Sequence, residues 1–271
     1  MSYYTVLGLE KEPFSTSPDP AFFYHSIAHD TALKRLEIAI RLRRGLSLIM
    51  GDVGTGKTTL SRTLLQTFDN DDGFIFHIIL DPNYKSEFQF LNSLVKIFKI
   101  EPTFKSTLDY KEAIEKYLFK KGVEENKTIV LLIDEGQKLT PDYLEILRIL
   151  LNYETNEYKL LQLVILAQVE LFPKLRRVKN FMDRVTLKYM INPLDEKETK
   201  EMIEFRLKQA GYIRETPLFT DGAIKLIYER SSGYPRKISL LCHDALETVV
   251  MKEQNLVDET VINELIQSEI K

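Results

Sequence analysis

"MGDVGTGKTTL", residues 50–60, is the stretch from which the fold can be read. Gly51-Asp52-Val53-Gly54-Thr55-Gly56-Lys57-Thr58 fits the pattern G-x-x-x-x-G-K-[ST]. Glycines let successive backbone N–H groups converge on phosphate oxygens. A helix that starts at once aims the positive end of its dipole at the same anion. In this pattern Lys57 reaches the β- and γ-phosphates, Thr58 ligates Mg2+, and Thr59 follows into the helix. The flanks agree, because "LSLIM" (46–50) reads as a strand and "TTLSRTLLQTF" (58–68) as a helix.

A phosphate loop needs a carboxylate for its metal, carried on a neighbouring strand. "TIVLLIDEGQKL" (128–139) supplies one, with an apolar run ending in Asp134 and Glu135. Asp134 is the candidate to hold Mg2+ through water. Glu135, one residue on, is placed to polarise an attacking water, which points to hydrolysis rather than to phosphate holding alone.

Outward from these two segments the chain alternates. Short apolar runs recur at 46–50, 74–80, 128–133, 161–167 and 185–191. Amphipathic stretches lie between them, near 57–68, 86–99, 109–121, 141–151 and 170–177. Continuous apolar strands separated by helices imply a parallel sheet covered on both faces, an α/β fold of about five strands. After Pro193 the strand signals stop. "DEKETKEMIEFRLKQAG" (195–211) reads as a helix from Asp195 to Gly211. Ile238, Leu241, Cys242, Ala245, Leu246 and Val249 make one apolar helical face, and Asp258 caps a last helix. Upstream, prolines at 13, 18 and 20 among aromatic residues predict an extended segment pinned by its rings, and Asp30 is the expected cap of the helix that follows. The expected organisation is thus an N-terminal segment (1–28) packing on the ATPase core, an α/β domain (29–193) and a helical lid (194–271).

The 271 residues suffice for one large domain or two modest ones, and Lys+Arg 37 against Asp+Glu 40 leaves a net charge of −3. That balance does not suggest a surface coated for nucleic acid, although local clusters stand at "RLRR" (41–44) and "KLRRVKN" (174–180). The first sits at a helix C-terminus, where cations favour the dipole. The single cysteine, Cys242, permits no intrachain disulfide and reads as a buried inert thiol. His25, His29, His77 and His243 have no metal-ligand spacing, so structural roles are expected. No signal peptide and no membrane-length apolar run are read, so a cytoplasmic protein is expected.

Three phrases together carry a resemblance. Leu7-Gly8-Leu9, Pro13-Phe14 and Pro18-Asp19-Pro20-x-Phe22 open the chain, the phosphate loop follows, and Ser232-Gly233-Tyr234-Pro235-Arg236-Lys237-Ile238 with Leu241-Cys242 stands late. The combination resembles AAA+ ATPases, specifically the branch typified by the general secretion pathway protein A ATPase. The resemblance implies a sheet of order 5-1-4-3-2 followed by a helical lid, with Mg-ATP as ligand. It makes Arg236 the second sensor, reaching from the lid to the γ-phosphate, and Gln168, at the end of "LQLVILA", the first sensor. Here the loop reads Ala167-Gln168-Val169-Glu170-Leu171, where the family more often has Gly-Gln-Pro-Glu-Leu. It implies rings or filaments whose sites are completed by an arginine of the next subunit. Arg184 is the best match, with Arg176 and Arg177 as competitors. By analogy, Tyr24 and His25 would lie near the adenine.

Members of that branch continue past the lid into a membrane span and a peptidoglycan-binding domain, which these residues do not carry. Three destinations follow. The first is an oligomeric ATPase working with a protein client in a secretion or envelope system. The second is a transposition regulator similar to the phage Mu B protein, polymerising on duplex DNA. The third is an adaptor whose ATP state, not turnover, carries the signal.

Overall fold

The computed structural model describes residues 2–101, 106–214 and 216–269. The ends of the expected N-terminal segment and lid, and Ile270 of the last predicted helix, lie outside the described residues. The chain forms two compact units: one of residues 29–52 and 60–191, the other of residues 1–28, 53–59 and 192–271.

The first unit holds a five-stranded parallel sheet. Its strands are β1 (Leu46–Met50), β2 (Phe74–Ile79), β3 (Thr128–Ile133), β4 (Leu161–Ala167) and β5 (Val185–Met190), in spatial order β2-β3-β4-β1-β5. This is the expected 5-1-4-3-2 order read from the other edge. Every residue of β1, β3 and β4 is buried, which explains sequences that are apolar but for Ser47, Thr128 and Gln162. The edge strand β5 alternates instead between half-buried and exposed residues. Parallel neighbours need crossovers. Helices α3 (Lys57–Thr67), α4 (Glu87–Ile97), α5 (Thr107–Phe119), α6 (Pro141–Leu150) and α7 (Phe172–Leu175) occupy the connections, after a short α1 (Tyr3–Val6) and α2 (Ile27–Arg41) ahead of β1.

Local chemistry fixes the helix starts. Ser106 and Asp109 form a reciprocal capping box for α5, and Ser86 caps α4. Thr140 caps α6 with Pro141 in its first turn. Two expectations are corrected. α2 begins at Ile27, so Asp30 sits inside its first turn rather than at the cap, favourable there for the helix dipole. Residues 170–177 are not one helix: a 3₁₀ turn, Val169–Leu171, precedes the single turn of α7, which has Pro173 near its start.

The second unit is built from α8 (Glu196–Gln209), α9 (Asp221–Ser231), α10 (Pro235–Met251) and α11 (Glu259–Glu269). Asp195 and Glu198 form the capping box of α8, and Asp258 accepts N–H bonds from Thr260 and Val261 at 3.0 and 3.1 Å. The face of α10 read from the sequence is buried in full, Cys242 included. Leucines and rings of the N-terminal segment pack in the helical unit: Leu7, Leu9 and Phe14 are buried with Ile203, Phe219 and Val249, and Phe14 meets Phe219 edge-on at 6.0 Å. A four-helix layer leaves an apolar face uncovered, and each large side chain laid on it contributes about 1.5–3 kcal/mol. The segment is also not extended throughout, since α1 and a 3₁₀ turn at Pro20–Phe22, capped by Asp19, interrupt it.

Candidate functional site

In the sheet unit, the carboxyl ends of β3, β4 and β1 lie side by side, because these strands are adjacent and parallel. Backbone bonds tie the ends together. Gly51 donates its N–H to the Ala167 carbonyl (3.2 Å), Asp134 donates to Ile79 (2.8 Å), and Ile191 to Met50 (2.7 Å). Asp134, Glu135, Gln168 and Gly51 therefore share one edge of the sheet, which is where open parallel sheets bind ligands.

Asp134 is 3% exposed, and its carboxylate accepts the Glu135 N–H at 2.9 Å. Glu135 takes the left-handed conformation (φ 53, ψ 35), which a residue with a side chain adopts at a cost of about 1 kcal/mol or more. The next residue has no room for a side chain. A Cβ on Gly136 would stand 2.5 Å from Cγ2 of Ile165 and 3.1 Å from the Leu166 carbonyl oxygen. Gln137, which the sequence reading passed over, then links the candidates. Its Nε2 donates to Oε2 of Glu135 (2.7 Å) and its Oε1 accepts from the backbone N–H of Gln168 (3.1 Å). The Lys174 ammonium donates to the Gln137 carbonyl.

The phosphate-loop residues 53–59 belong to the helical unit. Gly54 (φ 83) and Gly56 (φ 92) are left-handed, so the loop follows a path that only glycine takes without strain. Thr55 is 1% exposed and Lys57, the first residue of α3, is 8% exposed. An ammonium at the start of a helix beside a glycine turn has the charge and the position to meet a nucleotide phosphate. Asp52 and Val53 stay exposed at the start of the loop, and Thr58 and Thr59 are half-buried. The left-handed glycines and the buried Lys57 fit a polyphosphate.

The late motif builds a platform beside Gly54. α9 ends in two consecutive left-handed residues, Ser232 (φ 52) and Gly233 (φ 73). A Cβ on Gly233 would fall 1.9 Å from the Leu194 carbonyl oxygen, while the Leu194 N–H donates to the Gly233 carbonyl at 2.9 Å. Pro235 opens α10, and the Arg236 N–H donates to the Gly54 carbonyl at 3.2 Å. The exposed Arg236 side chain thus starts from backbone bonded to the phosphate loop.

Arg184 lies at the far end of the sheet from Gly51. Val185 pairs with Leu46 at the start of β1, whereas Met190 pairs with Met50 at its finish. Four residues of strand at about 3.3 Å each separate the two levels. Arg184 is half-buried and its Nε has no hydrogen-bond partner among the described residues. Arg176 and Arg177 are exposed after α7. The basic clusters are partly committed inside the fold. Arg41 pairs with Glu37 and Asp71, Arg43 bonds Thr128 and Asn126 while stacking on Tyr158, and Lys174 holds Gln137.

Tyr24 donates to Glu201 of α8 at 2.5 Å, and burial with that carboxylate pushes its hydroxyl pKa up; His25 meets the Phe23 ring at 4.9 Å. His77 is buried and bonded to the Tyr117 hydroxyl (3.0 Å), and burial lowers its pKa to about 4. His243 differs from the expectation of no ligand spacing. Its ring comes within 4.8 Å of Asp244 and Glu247, a helical i, i+1, i+4 set. Glu12 and the Tyr3 hydroxyl meet its Nδ1 at 3.2 and 2.9 Å, contacts that no local spacing reveals.

Comparison with known proteins gives one family model, described as an AAA domain, over residues 40–175. General secretion pathway protein A of Aeromonas hydrophila is 35% identical over 246 residues, covering 90% of this chain and 44% of that protein. The chain thus spans less than half the length of this relative. Among solved structures, the Aeropyrum pernix ORC2 protein in its ADP form superposes with a TM-score of 0.67 at 15% identity, covering 94% of this chain and 71% of that one. Drosophila ORC bound to DNA gives 0.69 at 19%, covering 100% and 66%.

Proposed function

Because the chain belongs to the AAA domain family, we propose that it binds Mg-ATP and hydrolyses it as an assembly of its own copies. The observation that carries this reading is the shared edge of β3, β4 and β1, where Asp134, Glu135, Gln168 and Gly51 stand together. Backbone N–H groups from Gly51 to Gly56, with Lys57, hold the phosphates, and Thr58 and Thr59 begin the helix whose dipole faces them. Thr58 and Asp134 would hold Mg2+, the latter through water, and the ion would supply neutralisation of charge on the phosphate oxygens. Glu135 orients and deprotonates the attacking water. Gln168 senses the γ-phosphate beside it, and Arg236 does so from α10.

Arg184 completes the site of a neighbouring copy. Its level at the opposite end of the sheet from Gly51 supports a role in trans rather than on its own nucleotide. An arginine supplied in this way contributes about 10³–10⁵ in rate. The partner we favour is a protein client in a secretion or envelope system, by likeness to the relative named General secretion pathway protein A. Arg41, Arg43 and Lys174 already have partners within the fold, which leaves less basic surface for duplex DNA. The exposed Arg176, Arg177 and Lys179 support the DNA reading as the second choice. Among the described residues no helix is long and apolar enough to cross a membrane, and we place the activity in the cytoplasm, where ATP is.

The test is steady-state ATPase rate against protein concentration, with and without random-sequence duplex DNA, at two salt concentrations. A rate per protomer that climbs with concentration and ignores DNA is expected. DNA stimulation that fades with salt would move the role to the transposition reading. Tight ATP binding with no turnover at any concentration would leave the nucleotide-dependent adaptor.

A further inference from the structure

Gln137 lies outside the residues that the sequence motifs single out, yet its side chain is bonded both to Glu135 and to the end of β4. Its amide is oriented by chemistry. The donor end meets a carboxylate oxygen and the acceptor end meets a backbone N–H, so a flip would set oxygen against oxygen and N–H against N–H. The backbone beneath it is held on three sides: by the left-handed Glu135, by Gly136 lying too close to Ile165 for any Cβ, and by the Lys174 ammonium on the Gln137 carbonyl.

We propose that Gln137 is a positioning residue for hydrolysis, fixing the Glu135 carboxylate and coupling it to the position of Gln168. The inference rests on the ATPase reading above. With Oε2 of Glu135 engaged by the Gln137 amide, Oε1 is the oxygen that takes the proton of the attacking water. That proton passes to Glu135 as the water oxygen bonds to the γ-phosphorus and the bond from that phosphorus to the bridging oxygen breaks, leaving ADP and phosphate. The same amide accepts the Gln168 N–H, so a shift of the β4 end drags Gln137 and turns the base. A nucleotide-dependent movement at the first sensor is thereby transmitted to the carboxylate through one side chain, without passing through the metal ligands.

Two variants separate positioning from mere support. Gln137→Ala removes both bonds; Gln137→Glu keeps an acceptor for Gln168 and loses the donor to Glu135. Both are expected to lower single-turnover hydrolysis about ten- to a hundredfold, the scale of a misaligned catalytic group. Affinity for a fluorescent ATP analogue should stay within twofold. In a Glu135→Gln background, Gln137→Ala should cost nothing further, because its effect runs through the carboxylate. A full additional loss in that background, or a Gln137→Glu rate equal to wild type, overturns the proposal. A readout independent of turnover is the side-chain amide 15N–1H signal of Gln137, identified by its disappearance in Gln137→Glu. Glu135→Ala should move it, and an unmoved signal overturns the contact. Wild type that binds ATP but never hydrolyses it would sink the ATPase reading and with it the catalytic assignment, while the amide signal still reports whether Gln137 holds Glu135.

Discussion

Gly136→Ala is the sharpest probe of the strand-end geometry. Its backbone is not left-handed, so the effect is steric alone. The new Cβ would sit 2.5 Å from Cγ2 of Ile165, where carbon–carbon contacts need about 3.5 Å or more. Ile165 is fully buried in a central strand and cannot retreat. The turn carrying Glu135 and Gln137 must therefore lift by about 1 Å. The 3.1 Å bond from Gln168 to Gln137 would then open to about 4.1 Å, beyond hydrogen-bond length. A displacement of that size at a catalytic group costs about a hundredfold in rate, or about 2.7 kcal/mol of barrier. Overpacking should also destabilise the fold by about 1–3 kcal/mol. The assay is single-turnover hydrolysis of radiolabelled ATP beside nucleotide affinity and thermal unfolding. Relief should come from Ile165→Ala in the same chain, raising the rate above that of Gly136→Ala alone. A Gly136→Ala rate within threefold of wild type would refute the reasoning.

Other consequences are equally concrete. Gly233→Ala combines a left-handed backbone with a Cβ 1.9 Å from the Leu194 carbonyl oxygen, and should cost about 3 kcal/mol or more in urea unfolding; an unchanged midpoint would contradict the contact. Burial lowers the His77 pKa from its ordinary 6.5 to about 4, so the unfolded chain binds the extra proton first. Stability should then be complete above pH 6.5 and fall as pH drops toward 4; His77→Gln should flatten that dependence, and identical urea midpoints against pH in both proteins would count against it. Mixing Arg184→Ala with wild type should depress ATPase activity non-linearly, whereas a strictly proportional loss would argue for action within one copy.

Much of this was legible from residue patterns, and what was missed has a physical pattern of its own. β1, β3 and β4 are mostly apolar runs because their residues are all buried, and the phosphate loop needs glycines at fixed steps, so local sequence reports them directly. The α8 capping box and the α10 face are likewise local. Gln137 was invisible because its role depends on the left-handed turn at Glu135 and on a β4 end 31 residues away in sequence. The place of Phe14 beside Phe219 is not legible, because prolines reveal an irregular path but not which apolar face receives the ring. Asp30 suits a cap by residue type, yet the helix begins earlier, at Ile27. In the basic clusters, composition counts charges without showing that Arg43 and Lys174 are spent on carbonyl oxygens.

On the proposed role of Arg184 in trans, its level and that of Gly51 on the sheet would give each copy a polarity, like a plug at one pole and a socket at the other. Joining such copies is a head-to-tail operation, so a closed ring engages every socket while an open row leaves one terminal socket empty. A row of n copies thus has n − 1 working sites, and its turnover per protomer rises with length toward that of a ring. Dimers would run at half the ring's rate per protomer and long rows almost at parity, so a plot of activity against measured assembly size distinguishes growth by extension from growth by closure.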